Sequence, residues 1–180
     1  MKNQNHVYSL IPFHAGPNTN LFSVTAELFQ ESNSKLILDF EISGDLELIT
    51  WPNLQKGSPR LENLWQHTCL ETFFTTSELE NGPYVEINCA PSGAWNAYDF
   101  SSYRQGMQNS PNITARLEKY AMDATTARFQ IEIESKVSIP LFAFNLSAVI
   151  EFSDGSISYW AIRHPSEKPD FHRRSEWTQV

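Results

Sequence analysis

Two stretches of the sequence decide the fold: residues 68–75 (TCLETFFT) and residues 84–90 (YVEINCA). Both are rich in residues that favour strands, and the turn sequence Glu80-Asn81-Gly82-Pro83 separates them. Because successive side chains of a strand point to opposite faces, this predicted hairpin has two different sides. One side is apolar: Leu70, Phe74, Val85, Ile87 and Cys89. The other side carries two carboxylates, an amide and aromatic rings: Cys69, Glu71, Phe73, Tyr84, Glu86 and Asn88.

Similar strand-like runs continue in both directions along the chain. They are residues 21–30, 35–42, 46–51, 113–122, 127–134, 144–152 and 156–163. Turn residues separate them, and Asp154-Gly155 in particular predicts a tight hairpin. Residues 51–64 are predicted to be a loop, and residues 136–142 a crossover loop or a short helical turn. The pattern therefore predicts an all-β protein, an antiparallel β-sandwich of jelly-roll type, with residues 1–180 forming a single domain.

Composition limits the classes of partner. Aromatic residues make up 13% of the chain, which suits half-buried sheet surfaces. The formal net charge of −8 opposes binding to nucleic acid and to anionic membrane surfaces. The first twelve residues lack the apolar run of a signal peptide, so we expect a cytoplasmic location. In that compartment Cys69 and Cys89 are expected to be buried, reduced side chains.

The polar and aromatic side of the hairpin is the candidate binding face. The stretch that follows it adds Trp95, Tyr98, Tyr103 and Arg104, and Tyr159 and Trp160 lie near the end of the chain. Flat rings can stack on the apolar face of a pyranose while carboxylates, amides and guanidinium groups bind its hydroxyls. These residues predict a small-ligand site, with a carbohydrate or sugar derivative as the leading ligand. In the cytoplasm, a nucleotide sugar or a cell-wall precursor is more consistent than a polysaccharide.

The segments LWQHTCLETFF (64–74), YVEINCAPSGAWNAYDF (84–100) and SDGSISYWAIRHPSEKPDFH (153–172) resemble the DOMON-like superfamily. They are most similar to bacterial members akin to family 9 carbohydrate-binding modules, over about residues 45–172. The resemblance implies a β-sandwich in which Trp65 and Trp160 clamp a sugar and Glu71, six residues after Trp65, binds its hydroxyls. The Lys expected before that Glu is Leu70 here, and the Asn expected three residues before the second Trp is Ile157.

The resulting prediction is a non-catalytic binding module. Its predicted ligand-binding residues are Trp65, Glu71, Glu86, Asn88, Trp95, Tyr103, Arg104, Trp160 and His164. No catalytic residue and no cofactor is assigned. Glycosidase chemistry through Glu71 and Glu86 is disfavoured, because no sequence feature fixes the separation that such a pair needs.

Three alternatives stay open at this point. The resemblance also implies relatives that bind haem through Met and His, for which Met107 with His164, or His67 with His164, would be the ligands here. It implies structural calcium as well, without ligands that the sequence identifies. A protein-interaction scaffold is the third alternative. A metal cluster of His164, Asp170 and His172 has no regular spacing behind it, and Asp170 and His172 are instead predicted to fix the C-terminal segment through Arg60 or Arg104.

Overall fold

A computed structural model describes residues 6–164 and 167–180 of the chain. Within these residues the regular structure consists of strands and four short 3₁₀ turns, with no α-helix. The strands are β1 (Tyr8–Pro12), β2 (Phe22–Ser32), β3 (Lys35–Gly44), β4 (Cys69–Thr75), β5 (Tyr84–Cys89), β6 (Trp95–Phe100), β7 (Gln108–Asn109), β8 (Ile113–Met122), β9 (Thr126–Ser135), β10 (Ala143–Glu151), β11 (Ile157–Ala161) and β12 (Thr178–Gln179). The 3₁₀ turns are Thr19–Leu21, Leu46–Leu48, Leu64–Gln66 and Arg174–Glu176. Residues 1–5, part of the segment that argued against a signal peptide, lie outside the described residues.

The strands form one curled antiparallel sheet in the order β7-β6-β5-β4-β10-β11-β1-β2-β3-β9-β8, with β12 paired to β10. The short strand β1 joins the two halves of this sheet. Its residues Tyr8, Ser9 and Leu10 pair with β2, and Ile11 and Pro12 pair with β11. All the strand pairs of the described chain are antiparallel, so the prediction of an all-β antiparallel protein is confirmed.

The main core lies between the two halves of the curled sheet. Alternate residues of β2, β3 and β9 point into it from one half, including Val24, Leu38 and Ile131. Side chains from β4, β5 and β10 meet them from the other half, including Phe74 and Ile87. Burial of these apolar surfaces supplies the main free energy of folding.

The predicted hairpin of β4 and β5 is confirmed: the two strands pair with each other, and their predicted apolar side faces the main core. Leu70 pairs with Cys89 and Phe74 with Val85 on the core side. Phe73 and Tyr84 lie on the opposite side, in a second apolar cluster. We call the surface of this half that points away from the main core the outer face.

Several predicted boundaries differ from the structure. Residues 46–51 are not a strand, because they form the 3₁₀ turn Leu46–Leu48 and then a single bridge from Ile49 to Phe152. Strand β6 was not among the predicted strands. The hairpin at Asp154-Gly155 is confirmed, with Gly155 at a φ of 82° and the Phe152 N–H donating to the Ser156 carbonyl at 2.8 Å. Residues 51–63 and 136–142 have no regular helix or strand, as predicted.

The C-terminal segment covers part of the outer face. Phe171 and Trp177 pack against Phe73 there, and β12 pairs with the start of β10. The space left beside this segment is the cleft described below. In the described part of the chain, no helix has the length and apolar character needed to cross a membrane.

Candidate functional site

A cleft of about 570 Å³ opens on the outer face, in the size range of small-molecule sites. Its floor comes from neighbouring strands, and its walls come from the 3₁₀ turn Leu64–Gln66, the segment after β6 and the C-terminal segment. The lining residues are Trp65, Gln66, Glu71, Phe73, Glu86, Phe100, Arg104, Met107, Val149, Ile157, Tyr159, Pro169, Phe171 and His172.

Two buried carboxyl groups lie at the floor of the cleft. Glu71 is 2% exposed and Glu86 is 5% exposed. Glu71 is directly opposite Asn88, and Glu86 is directly opposite Phe73, so the two Glu are diagonal neighbours on adjacent strands. Such a diagonal places their Cβ atoms about 7 Å apart. Strand register alone therefore brings the two carboxyls into one site.

Neutral groups donate hydrogen bonds to these carboxyls. The Ser147 hydroxyl donates to Glu71 Oε2 at 3.0 Å, and Asn88 Nδ2 donates to Glu86 Oε1 at 2.7 Å. Burial raises the pKa of Glu71 well above its ordinary value, and the nearby Glu86 raises it further. Burial also raises the pKa of Glu86 to about 7, against the opposing effects of Asn88 and Arg104. Without a ligand, the floor is thus largely neutral below pH 7, because carboxylates are costly to bury without cations.

His172 closes one side of the floor. Its Nδ1 lies 2.7 Å from the Tyr84 hydroxyl, which accepts a hydrogen bond from the Arg104 backbone N–H at 3.2 Å. The Tyr84 hydroxyl therefore donates to Nδ1, and the proton of the neutral imidazole is on Nε2, 3.8 Å from Glu86 Oε2. Burial and the charge of Arg104 lower the pKa of His172 to about 4. His172 is accordingly neutral above that pH.

A carboxylate holds the C-terminal segment next to the cleft. The Arg104 guanidinium donates to Asp170 Oδ1 at 3.0 Å, and the Tyr103 hydroxyl donates to Asp170 Oδ2 at 2.6 Å. The prediction that Asp170 fixes this segment through Arg104 is confirmed. Arg60 has a different role, since it bonds Asn96 Oδ1 at 2.7 Å.

Aromatic side chains form the rim. Trp65 is half-buried on the 3₁₀ turn, just after Asn63 with its left-handed backbone (φ 60°), and its ring meets the edge of Tyr98 at 5.6 Å. Tyr159 and Phe171 are also half-buried, with ring centres 6.3 Å apart. The rim thus offers apolar ring surface that remains accessible from the cleft.

Four of the nine predicted ligand-binding residues line the cleft: Trp65, Glu71, Glu86 and Arg104. The prediction of Trp160 as the second stacking wall is wrong. Trp160 is 2% exposed within the main core, and its Nε1 donates to Ser158 Oγ at 2.8 Å. Its neighbour Tyr159 points to the outer face instead, because adjacent strand residues face opposite sides.

The other predicted residues lie outside the lining. Trp95 belongs to the main core, 8% exposed, with the Arg60 guanidinium 5.1 Å from its ring centre. Asn88 is completely buried; its Nδ2 donates to Glu86, and its Oδ1 has no hydrogen-bond partner among the described residues. Tyr103 is exposed and bonds Asp170, and His164 Nε2 donates to the Ile11 carbonyl at 2.8 Å.

Sequence reasoning did not select several residues that line the cleft. Tyr159 and Phe73 were recoverable from strand alternation, once the facing of their strands was fixed. Phe171 and His172 carry no comparable signal, because they belong to a segment without regular secondary structure that reaches the sheet only through tertiary packing.

The residues do not fit the haem or metal alternatives. Met107 lines the cleft, but His164 does not, and His67 Nδ1 lies 2.8 Å from Glu151 Oε2 on an exposed surface. In residues 6–164 and 167–180, no three His, Cys, Asp or Glu side chains are grouped so that they could hold a metal ion.

Comparison with known proteins gives the fold. No protein-family model and no curated protein matches the chain. A candidate carbohydrate-binding protein from Bacteroides uniformis is 9% identical, with a TM-score of 0.64 over 96% of this chain and 84% of that one. A family 9 carbohydrate-binding module from Caldicellulosiruptor kristjanssonii in complex with glucose is 8% identical, with a TM-score of 0.54 over 97% and 81%. A module of the same family and organism with cellotriose is 9% identical, with a TM-score of 0.50 over 88% and 72%. The chain shares their fold.

Proposed function

We propose that this chain is a non-catalytic module that binds a carbohydrate or sugar derivative in the cleft of the outer face. We also propose that its curled sheet is a jelly-roll-like β-sandwich related to family 9 carbohydrate-binding modules. One observation carries the functional proposal. A single cleft combines accessible aromatic rings at its rim with two buried carboxyl groups at its floor.

This combination suits the two chemical surfaces of a sugar ring. Trp65, Tyr159 and Phe171 offer flat surfaces for the C–H side of a pyranose. Glu71 and Glu86 supply oxygens that accept hydrogen bonds from hydroxyl groups, and a buried hydrogen bond of this kind favours a ligand that matches it. The cleft is also large enough for a small saccharide.

The fold neighbours support the same proposal. Two of them are modules whose structures contain glucose or cellotriose. At 8–9% identity this support concerns the architecture, so the assignment of a ligand to this chain rests on its own cleft.

The electrostatics of the floor favour binding over glycoside hydrolysis. A glycosidase pair needs one carboxylate that stays ionised and one acid that stays protonated. Burial raises the pKa of both Glu71 and Glu86, so neither is held as an ionised nucleophile in the acidic range.

The floor also narrows the ligand. Among the described lining residues no lysine is present and Arg104 is paired with Asp170, so a phosphate would lack a cationic partner, which disfavours the nucleotide sugar considered from the sequence. With the proposed cytoplasmic location, a small sugar without a phosphate group is the better candidate.

Isothermal titration with glucose, cellobiose and cellotriose tests this function. We expect Trp65→Ala to weaken binding by roughly tenfold or more, as loss of a stacking ring should. Trp51→Ala is the matched control, since Trp51 is also half-buried but packs near Phe129 in the other half of the sheet. Absence of binding to every sugar tested, or an equal loss in both variants, would contradict the proposal.

A further inference from the structure

The floor of the cleft offers an acceptor that no group in the described part of the chain uses. Glu71 lines the cleft at 2% exposure, and its Oε2 accepts the Ser147 hydrogen bond. Its Oε1 has no hydrogen-bond partner among the residues that the structure describes. An acceptor of this kind is available to a donor that a ligand supplies.

The cations near the floor are already used or absent. Among the described residues that line the cleft, Arg104 is the one with a guanidinium, and it is paired with Asp170 at 3.0 Å. His172 is neutral and directs an N–H towards Glu86. Within the described lining, no lysine faces the carboxyls.

The remaining titratable groups on the neighbouring strands add no positive charge. Cys69 lies on the same side of β4 as Glu71, and burial raises the pKa of its thiol, so it is protonated. Burial likewise raises the pKa of Tyr84 to about 12, so its hydroxyl is neutral. Two carboxyl groups therefore face the cleft, and no unpaired cation is present among its described lining residues.

The aromatic lining favours a cation in the same place. Trp65, Phe100, Tyr159 and Phe171 line the cleft that holds the carboxyls. The faces of aromatic rings attract ammonium groups, and the attraction strengthens when the cation is desolvated. A neutral hydroxyl gains hydrogen bonds from the floor but gains nothing comparable from the rings.

We propose that the ligand of this cleft is an amino sugar with a free ammonium group, which donates to Glu71 and is surrounded by the aromatic rim. This inference rests on the proposed sugar-binding function and specifies its ligand class.

Binding of the ammonium group changes the protonation of the floor. A bound ammonium stabilises the ionised form of the neighbouring carboxyl, so a protonated Glu gives up its proton to the buffer as the ammonium–carboxylate pair forms. No covalent bond of the ligand changes. A neutral sugar of the same shape lacks this charge and releases no comparable amount of proton.

Titration calorimetry with three matched sugars tests the inference: glucosamine, glucose and N-acetylglucosamine. At about pH 6 we expect glucosamine to bind at least roughly tenfold more tightly than either neutral sugar. Its binding heat should vary with the ionisation enthalpy of the buffer, in the direction of proton release. Glu71→Gln should reduce the ratio of glucosamine affinity to glucose affinity to within roughly threefold, because glutamine still accepts a hydrogen bond but carries no charge to pair with the ammonium group. Glu47→Gln, at an exposed position far from the lining, should change neither affinity.

The outcomes separate this inference from the proposed function. If glucose and glucosamine bind equally, the ammonium inference is overturned and sugar binding stands. If no sugar binds, both are overturned. If ethanolamine, which has an ammonium group but no sugar ring, binds as tightly as glucosamine, the cation site is supported and sugar recognition is contradicted. A folded Glu71→Gln variant that keeps the full preference for glucosamine would also overturn the inference.

Discussion

The substitution Glu86→Gln should stabilise the protein above neutral pH, although it changes a buried, hydrogen-bonded side chain. Burial raises the pKa of Glu86 from 4.5 to about 7. Because the pKa is higher in the folded state, the contribution of this group to stability is complete below pH 4.5 and is lost as the pH rises through 7. The difference between these two pKa values, at about 1.4 kcal/mol for each pH unit, corresponds to a loss of about 3 kcal/mol in the free energy of unfolding.

Glutamine has the shape of a protonated glutamate and does not ionise. Its oxygen can still accept the hydrogen bond from Asn88. We therefore expect the free energies of unfolding of wild type and Glu86→Gln to be similar near pH 4 and to differ by about 3 kcal/mol at pH 8, with the variant more stable. His172 titrates in both proteins, so its effect largely cancels in the difference. Loss of the Glu86 charge also lowers the pKa of Glu71, which acts in the same direction.

Urea unfolding at a series of pH values, followed by tryptophan fluorescence, measures this difference. Glu47→Gln is the control, because it removes an exposed carboxyl, and its stability difference from wild type should not depend on pH to a similar extent. A Glu86→Gln variant that is less stable than wild type at pH 8, or equally stable at every pH, would refute the account of the floor as a pair of buried acids.

Three further substitutions or reactions test the fold. Trp160→Ala should lower the free energy of unfolding by about 3–5 kcal/mol, measured by urea unfolding, because the ring lies in the main core; a loss below about 1 kcal/mol would contradict its burial. Gly44→Ala should lower the free energy of unfolding by about 1–3 kcal/mol in the same assay, since Gly44 has a φ of 148° and a Cβ there would overlap the Leu21 carbonyl oxygen. An unchanged free energy of unfolding would contradict the backbone conformation at Gly44. Cys69 and Cys89 should react with a thiol reagent only as fast as the protein unfolds, because burial raises the pKa of both thiols; rapid labelling of the native protein would show that they are accessible.

The sequence contains enough information to predict the strands and the face on which the carboxyls lie. Glu71 and Glu86 belong to strands with one clearly apolar side, so alternation places both on the other side. Nothing more than strand pairing is needed to bring them together. The same reasoning accounts for the buried Leu70 and Ile87.

The alternation of side chains could not predict which residues face the core where both sides of a strand are apolar. In β11, Tyr159 and Trp160 are both aromatic, and the local pattern does not say which one faces the core. The family resemblance selected Trp160, but pairing with β10 places it opposite Ala148, a residue of the main core. Trp95 was misplaced because β6 was not among the predicted strands, so the alternation of its side chains was not used.

The C-terminal wall could not be predicted in the same way. Phe171 and His172 follow a stretch without regular structure, and their positions depend on distant partners such as Tyr84 and Arg104. Such long-range contacts produce no periodic pattern in the local sequence. The pKa of His172 follows from that packing as well, since burial is its main cause.

The indole N–H signals of the five tryptophans provide the most direct test of where the ligand binds. Trp65 lines the cleft, whereas Trp51, Trp95 and Trp160 lie elsewhere. In nitrogen-15 correlation spectra, with Trp65→Phe to assign the signal, titration with glucosamine should shift the Trp65 indole and leave those of Trp51, Trp95 and Trp160 in place. A saturating shift at one of these three with none at Trp65 would contradict the central claim.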